Sequence, residues 1–211
     1  MMSRIAEISA ALQSGKLADV KALTQQALDE GVSAKAILED GLLVGMGVIG
    51  EKFKNNEVYV PEVLVAARAM NAGAALLKPH LAEAGVEEKG VVVLGTVKGD
   101  LHDIGKNLVR MMMEGKGLRV IDLGVDVPAE RFIEAARENG AGVIACSALL
   151  TTTMGEMRTV VDTLKVSPLA GKVRVMIGGA PVNQSFCDQI GADAYTASAA
   201  DAADTALKLC S

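Results

Sequence analysis

The chain has 211 residues, half of them hydrophobic, with 2 % aromatics, no Trp and a formal net charge of −5. That length holds one large domain or two small ones. The acidic balance (sequence pI about 5.1) and the scarcity of aromatic rings argue against nucleic acid or an anionic membrane as partner, since such contacts rely on Lys, Arg and stacking platforms.

The three cysteines, Cys146, Cys187 and Cys210, form no CxxC pair, which fits a reduced, cytoplasmic protein. The first residues carry no apolar h-region of the kind a signal peptide needs. The longest uncharged stretch, 41–50, is too short and too Gly-rich to span a bilayer.

A helical period runs from residue 3 to about 84. Ser3 is placed to cap a first helix with Ile5, Ile8, Ala11 and Leu12 on one face. A second spans about 17–30, with Val20, Leu23, Ala27 and Leu28 inward, and stops at Gly31. Ser33 opens a third, apolar at Ile37, Leu38, Leu42, Val44, Val48 and Phe53. Pro61 suits the first turn of a fourth, which carries Val63, Leu64, Ala67, Met70, Ala74 and Leu77 and is expected to stop before Pro79. Four amphipathic helices on short loops predict an antiparallel bundle. The pattern changes at 85–90, so the chain reads as a helical domain, 1–88, followed by a second domain, 89–211.

In that second domain short apolar runs alternate with helices. The predicted strands are 91–95, 119–123, 143–146, 174–177 and 194–195. The predicted helices are 105–115, 128–138, 154–165, 183–190 and 199–209. Such alternation predicts an α/β fold, a doubly wound parallel sheet of about five strands in the flavodoxin-like, Rossmann-like order.

The loop after the first predicted strand holds the chemistry. Gly99-Asp100-Leu101-His102-Asp103-Ile104-Gly105-Lys106 lies where open α/β sheets bind ligands, at a strand's carboxyl end. It contains one of only two histidines, with Asp100 two residues before it and Asp103 one after. A carboxylate beside an imidazole takes one ring N–H, fixes the tautomer and makes the other nitrogen a better metal ligand. Gly95 and Gly99 read as places where backbone approaches a ligand, and Gly105 as a close helix–strand contact. Asp103 reads equally as the N-cap of the following helix. His80 sits near a helix end without companion ligands. Met111, Met112 and Met113 read as core filler. Thr151, Thr152 and Thr153 alone read as a helix start, and Gly178-Gly179 alone as a tight turn.

Val97-Lys98-Gly99-Asp100-Leu101-His102-Asp103-Ile104-Gly105-Lys106-Asn107 matches the Asp-x-His-x-x-Gly signature of cobalamin-binding domains. Three further segments agree, in the right order: Ser147-Ala148-Leu149-Leu150-Thr151-Thr152-Thr153-Met154, Ile177-Gly178-Gly179-Ala180, and Gly50-Glu51-Lys52-Phe53 with Val58-Tyr59-Val60-Pro61-Glu62-Val63. Nearly the whole chain resembles the corrinoid proteins of methyltransferase systems and the cobalamin-binding portion of methionine synthase. The resemblance implies that His102 ligates cobalt from the lower corrin face, that Asp100 is its hydrogen-bond partner, and that the Thr153 hydroxyl stands third in the relay, where methionine synthase has serine. It also implies that the cofactor's own base detaches into a slot lined by Ser147, Gly178, Gly179 and Ala180, with Leu149 and Thr151 also binding the cofactor. The helical domain would cover the upper face through Phe53, Val60 and Val63, although these residues also read as ordinary bundle core.

The implied activity is that of a methyl carrier, non-catalytic alone, whose cobalamin or related corrinoid alternates between cob(I)alamin and methylcob(III)alamin. A donor-specific methyltransferase would load the methyl group. An acceptor-side methyltransferase would pass it on, commonly to tetrahydrofolate or a thiol, and a corrinoid reductive activase would maintain the cofactor. A proton taken up by the His102–Asp100 pair would accompany loss of the axial bond, and 85–90 would act as a hinge. Two other readings belong to different classes. A cobalamin-responsive regulator would need a DNA-binding segment that is not visible here. The small subunit of an adenosylcobalamin mutase would not need the helical domain. A flavin-binding flavodoxin-like protein leaves the histidine loop unexplained.

Overall fold

A computed structural model describes residues 3–83 and 88–210. The chain divides into two compact units, Met1–Glu87 and Glu88–Ser211. The hinge expected at 85–90 falls largely on residues 84–87, outside the described residues.

The first unit is helical: α1 (Arg4–Gln13), α2 (Leu17–Asp29), α3 (Ala34–Ala36), a π-helical stretch Ile37–Leu43 running straight into α4 (Val44–Lys54), and α5 (Val60–Glu83). Ser3 and Ser33 cap their helices as their residue type predicts, each hydroxyl accepting from the backbone N–H three residues on. The π stretch was not foreseen, and the burial pattern explains it. The inward positions Ile37, Gly41, Gly45 and Ile49, with Leu42, Met46 and Gly50 beside them, recur every four residues. An α-helix turns about 100° per residue, so a four-residue repeat drifts by about 40° per turn off the buried face. The wider π turn takes up that drift and keeps the stripe inward. It also leaves Val44, one of the apolar residues of this stretch, about half exposed.

The fourth helix does not stop before Pro79 as expected but continues to Glu83. Pro79 and Ala75, whose carbonyl the proline cannot meet, both lie on the exposed face. A carbonyl on that face is open to solvent, so the missing donor costs little and the proline is tolerated. By length and composition the stretch Val60–Leu81 is also apolar enough to cross a membrane, with a mean hydropathy of 1.3. In this unit it is the helix against which α1, α2 and α4 pack, burying Val63, Ala66, Ala67, Ala69, Met70 and Leu77.

Among the described residues, one buried side-chain polar atom in this core lacks a partner. The Thr24 hydroxyl on α2 is fully buried without a hydrogen bond. Thr24→Val keeps the shape and removes the orphan, so it is expected to stabilise the unit by about 1 kcal/mol. Thermal denaturation followed by circular dichroism reads this as a raised midpoint, and a lowered midpoint would contradict it.

The second unit holds a five-stranded, all-parallel sheet of β1 (Val91–Thr96), β2 (Arg119–Asp122), β3 (Val143–Ser147), β4 (Arg174–Gly178) and β5 (Ala194–Thr196), in the order β2-β1-β3-β4-β5. Its helices are α6 (Ile104–Glu114), α7 (Ala129–Asn139), α8 (Met154–Lys165), α9 (Gln184–Ile190) and α10 (Ala199–Cys210). Strand order and fold class are those expected from sequence.

The two sheet faces differ in a way that positions the site. Val93, Ile144, Cys146, Val175 and Ile177 join Phe132 of α7 and Met157 of α8 in a closed core. Their neighbours along the strands, Leu94, Ala145 and Met176, line a cavity with α6 and α10, which Cys146 and Ile177 also reach at the strand ends. Gly95 belongs to the closed face: a Cβ there would lie 2.8 Å from the Phe132 ring. It serves packing, and its expected role in ligand approach is corrected.

Candidate cofactor-binding site

The β1–α6 loop is held from three sides. The turn Val97–Asp100 closes through Asp100 N–H donating to Val97 O at 3.1 Å, with Gly99 at φ +79°. A turn of this kind requires positive φ at its third residue, which favours glycine. The Thr96 hydroxyl donates to His102 O at 2.8 Å. The third tie is the Asp100 side chain, with no exposed surface at all.

Asp100 accepts from five donors. Oδ1 takes the His102 backbone N–H at 3.1 Å and lies 2.8 Å from His102 Nδ1. Oδ2 takes the backbone N–H groups of Leu149 and Leu150 at 2.8 and 3.1 Å and the Thr153 hydroxyl at 2.9 Å. Burial alone pushes this carboxyl up, but the N–H of Leu149, the His102 ring, and the N–H groups of His102 and Leu150 outweigh it. They hold it far below the usual carboxylate range, so Asp100 is ionised at neutral pH. An ionised carboxylate only accepts, so Nδ1 carries the imidazole proton. The outer nitrogen, Nε2, is left with its lone pair. The ring is half exposed, and Nε2 makes no hydrogen bond among the described residues. A single ring nitrogen is thereby oriented as a candidate ligand.

The relay Thr153–Asp100–His102 expected from the resemblance is therefore a connected hydrogen-bonded chain. Thr153 is buried, and its hydroxyl also lies 2.9 Å from Leu150 O, so one proton serves two acceptors. Asp103 occupies the N-cap position of α6 without a side-chain cap bond. Its carboxylate accepts from Asn107 Nδ2 instead.

The cavity beside this loop has a volume of about 600 Å³. Of the residues expected to touch a cofactor, Leu101, His102, Asp103, Ile104, Gly105, Ser147, Leu149, Gly178, Gly179 and Ala180 line it. Gly99 does not, serving the turn behind the loop. Thr151 does not either and is exposed. Gly105 is not the close helix–strand contact expected: a Cβ there would meet nothing within 4 Å, and the residue opens the cavity wall. Gly179, at φ +135°, has the opposite reason to be glycine, since a Cβ would sit 1.8 Å from Ala148 O. Phe53 and Val60 are half-buried in the helical unit, whereas Val63 has no exposed surface, as ordinary bundle core would.

Sequence reading missed two groups of residues. The β5–α10 segment, Tyr195 to Ala199, closes the far side of the cavity. The expected strand order already put the end of the fifth strand beside that of the fourth, which was the available signal. Lys106 is the other. It lines the cavity yet is only 3 % exposed, with Nζ 2.5 Å from Asp122 Oδ1 and 3.1 Å from Asn107 Oδ1. Burial raises the Asp122 carboxyl, but Lys106, the Gly124 N–H and Arg110 pull it below its ordinary value. The pair pins the first turn of α6 to the end of β2.

The donor set can be tested against a corrinoid. Among the described residues no group of three or more His, Cys, Asp or Glu is arranged to hold a bare metal ion. A metal already held in the plane of a macrocycle needs only an axial donor, which His102 Nε2 offers. Around it Leu101, Ile104, Leu149 and Leu150 expose large apolar side chains, unusual on a polar rim and suited to a flat hydrophobic ligand. The adjoining cavity, with glycine where backbones approach, suits a nucleotide-like tail. The residues present fit the group. The thiols play no part in this: burial pushes Cys146 up to about 12 and raises Cys187 and Cys210.

A flavodoxin-ordered sheet whose first loop presents one carboxylate-oriented imidazole beside a deep slot defines a cofactor-binding α/β protein with a single axial ligand to offer. Comparison with known proteins says which. A family model described as a B12 binding domain matches residues 90–207, and a second of the same description matches residues 4–78. The chain is 43 % identical to the dimethylamine corrinoid protein of Methanosarcina barkeri over 96 % of this chain and 95 % of that one. It is 41 % identical to a corrinoid protein of Desulfitobacterium hafniense over 99 % and 98 %. Among solved structures it resembles the methanol:cobalamin methyltransferase complex of M. barkeri, with a TM-score of 0.87, 34 % identity, and coverage of 97 % of this chain and 80 % of that one. A cobalamin-binding protein of D. hafniense matches with a TM-score of 0.80 and 30 % identity over the full length of both chains. The chain belongs to the B12-binding corrinoid proteins of methyltransferase systems.

Proposed function

We propose that this protein is a methyl carrier, holding a corrinoid through His102 and passing a methyl group between a donor-specific methyltransferase and a second methyltransferase that serves tetrahydrofolate or a thiol. The observation that supports it most is the fully buried, five-fold hydrogen-bonded Asp100, which leaves His102 Nε2 as a preoriented donor. When bound, the corrinoid supplies a cobalt centre that accepts and releases the methyl group. The chain's own residues do the rest. His102 would hold the cobalt through Nε2, while Asp100 holds its tautomer and Thr153 adds a hydroxyl to the same carboxylate. Gly178, Gly179, Ala180 and Ser147 keep the slot open for the nucleotide tail. The helical unit matches a B12 binding domain model of its own.

His102, Asp100 and Thr153 form one hydrogen-bonded chain, so a group held at His102 Nε2 would be linked through the imidazole to the Asp100 carboxylate. Partner methyltransferases, a reductive activase and a cytoplasmic setting belong to the same proposal. The methyltransferase partners are supported by relatives named as methylamine-type corrinoid proteins and by a structural neighbour that is a methyltransferase complex.

The test is to load the protein with cobalamin, reduce it, and offer methanol and methylamines together with candidate methyltransferases. Stoichiometric methylation that depends on one donor–enzyme pair is expected. Protein that takes up cobalamin yet is methylated by no pair would overturn the carrier role. Cobalamin-dependent retention of DNA would favour a regulator instead.

A further inference from the structure

The Asp100 side chain is fixed by the loop after β3. Its backbone is fixed by the loop after β2, through a residue that neither the motif nor the cavity includes. Asp126 lies in that second loop, exposed, at φ +55°. It is one of two non-glycine residues with positive φ among those described. Left-handed backbone is disfavoured for residues with a Cβ and is kept where surroundings over-determine it. Here two hydrogen bonds do so. Asp126 Oδ1 accepts from Gly99 N–H at 2.7 Å. Asp126 N–H donates to Asp100 O at 3.0 Å. The two bonds straddle the Gly99–Asp100 dipeptide, one on each side. Neighbouring bonds, Val127 N–H to Thr96 O and Thr96 N–H to Gly124 O, bring the loops together but do not grip that dipeptide.

We propose that Asp126 is a positioning residue for the axial histidine: it clamps the Gly99–Asp100 backbone so that the Asp100 carboxylate points at His102 Nδ1. This rests on the reading of His102 as the cobalt ligand. The Val97–Asp100 turn is otherwise closed by one 3.1 Å bond around a glycine, the residue with the most conformational freedom. Without the clamp, the peptide before Asp100 rotates. The carboxylate then keeps its bonds to Leu149, Leu150 and Thr153 more readily than its bond to the half-exposed imidazole. Asp126 touches neither histidine nor cavity, so its effect passes wholly through Asp100.

Four variants separate the hydrogen bond from the backbone strain. Asp126→Asn keeps an acceptor oxygen and tolerates positive φ. Asp126→Gly removes the acceptor and relieves the strain. Asp126→Ala removes the acceptor and keeps the strain. His102→Ala is the control for ligation itself. Two readouts are needed. In cofactor-free protein, the amide exchange rate of Gly99 is expected to rise about tenfold in the Gly and Ala variants, as loss of one hydrogen bond implies, and to stay near wild type in Asn. In protein loaded with cob(II)alamin, the ratio of histidine-ligated to unligated cobalt, read by electron paramagnetic resonance, is expected to fall about three- to tenfold in Gly and Ala and to be restored in Asn. A wild-type ratio in Asp126→Gly, with Gly99 exchange raised, would overturn the clamp while leaving His102 as ligand. An unchanged spectrum in His102→Ala would overturn the ligand reading itself.

Discussion

Asp100→Ala is expected to lower the unfolding free energy of the sheet unit by about 3–4 kcal/mol, near the upper end for a single substitution. The reason is not a cavity. The change orphans backbone donors at His102, Leu149 and Leu150, all converging on one buried carboxylate, and leaves the Thr153 hydroxyl with Leu150 O as its one acceptor. Thermal unfolding should show a fall of roughly 10 °C for a unit of this size. A change within a degree or two would mean that the loops after β1 and β3 are held by something other than this carboxylate. The pH dependence has a definite sign. The folded carboxyl titrates well below the unfolded value of about 3.9. Its stabilisation is therefore complete above that value and is lost only as pH falls towards the folded one. Asp100→Asn sharpens the test. The amide –NH₂ must face either the three donors at Oδ2 or the His102 ring. Facing the ring, it needs Nδ1 as acceptor, which moves the imidazole proton to Nε2 and blocks ligation. The Asn variant should stay folded while losing the histidine–cobalt bond.

Gly179→Ala should be comparably severe for a different reason. The φ of +135° is essentially closed to a residue with a Cβ, and the added carbon would lie 1.8 Å from Ala148 O. Backbone, not a flexible side chain, must give way. Ala148 is bonded to Gly178 O and immediately precedes the Leu149 and Leu150 N–H groups that hold Asp100. Pushing it shifts the tail slot and the histidine relay together. A loss of at least about 3 kcal/mol is expected, with cobalamin uptake falling below detection in equilibrium dialysis. Gly105→Ala is the matched control, because its Cβ meets nothing within 4 Å and should leave folding intact. Tight cobalamin binding by Gly179→Ala would show that the β3 and β4 loop ends do not form the slot.

Much of this architecture was legible in the residues. Alternating apolar runs and helices gave the parallel sheet and its order. The spacing of Asp100 and His102 marked the loop, and the Thr153 hydroxyl fell where the relay needed one. What was not legible depends on geometry that a one-dimensional pattern does not carry. A four-residue burial repeat looks like an ordinary helical stripe until its drift is followed, so the π stretch at Ile37–Leu43 passed as α-helix. Pro79 reads as a stop unless its exposed face is known. Gly95 and Gly105 both looked like sites of close approach, but one accommodates Phe132 on the closed face and the other opens the cavity. Asp122, the partner of Lys106, and Asp126 bear on the histidine loop from β2 and the loop after it, a strand away in sequence, and no local motif links them to His102.

The central claim is that His102 Nε2 is the axial ligand of a bound corrinoid. The most direct measurement uses protein labelled with ¹⁵N only in histidine, loaded with unlabelled cob(II)alamin, and electron paramagnetic resonance. Each cobalt line should split into a doublet from one ¹⁵N nucleus, and His102→Ala should abolish that doublet. A triplet, from the ¹⁴N of the cofactor's own base, or a doublet that survives in His102→Ala, would contradict the account.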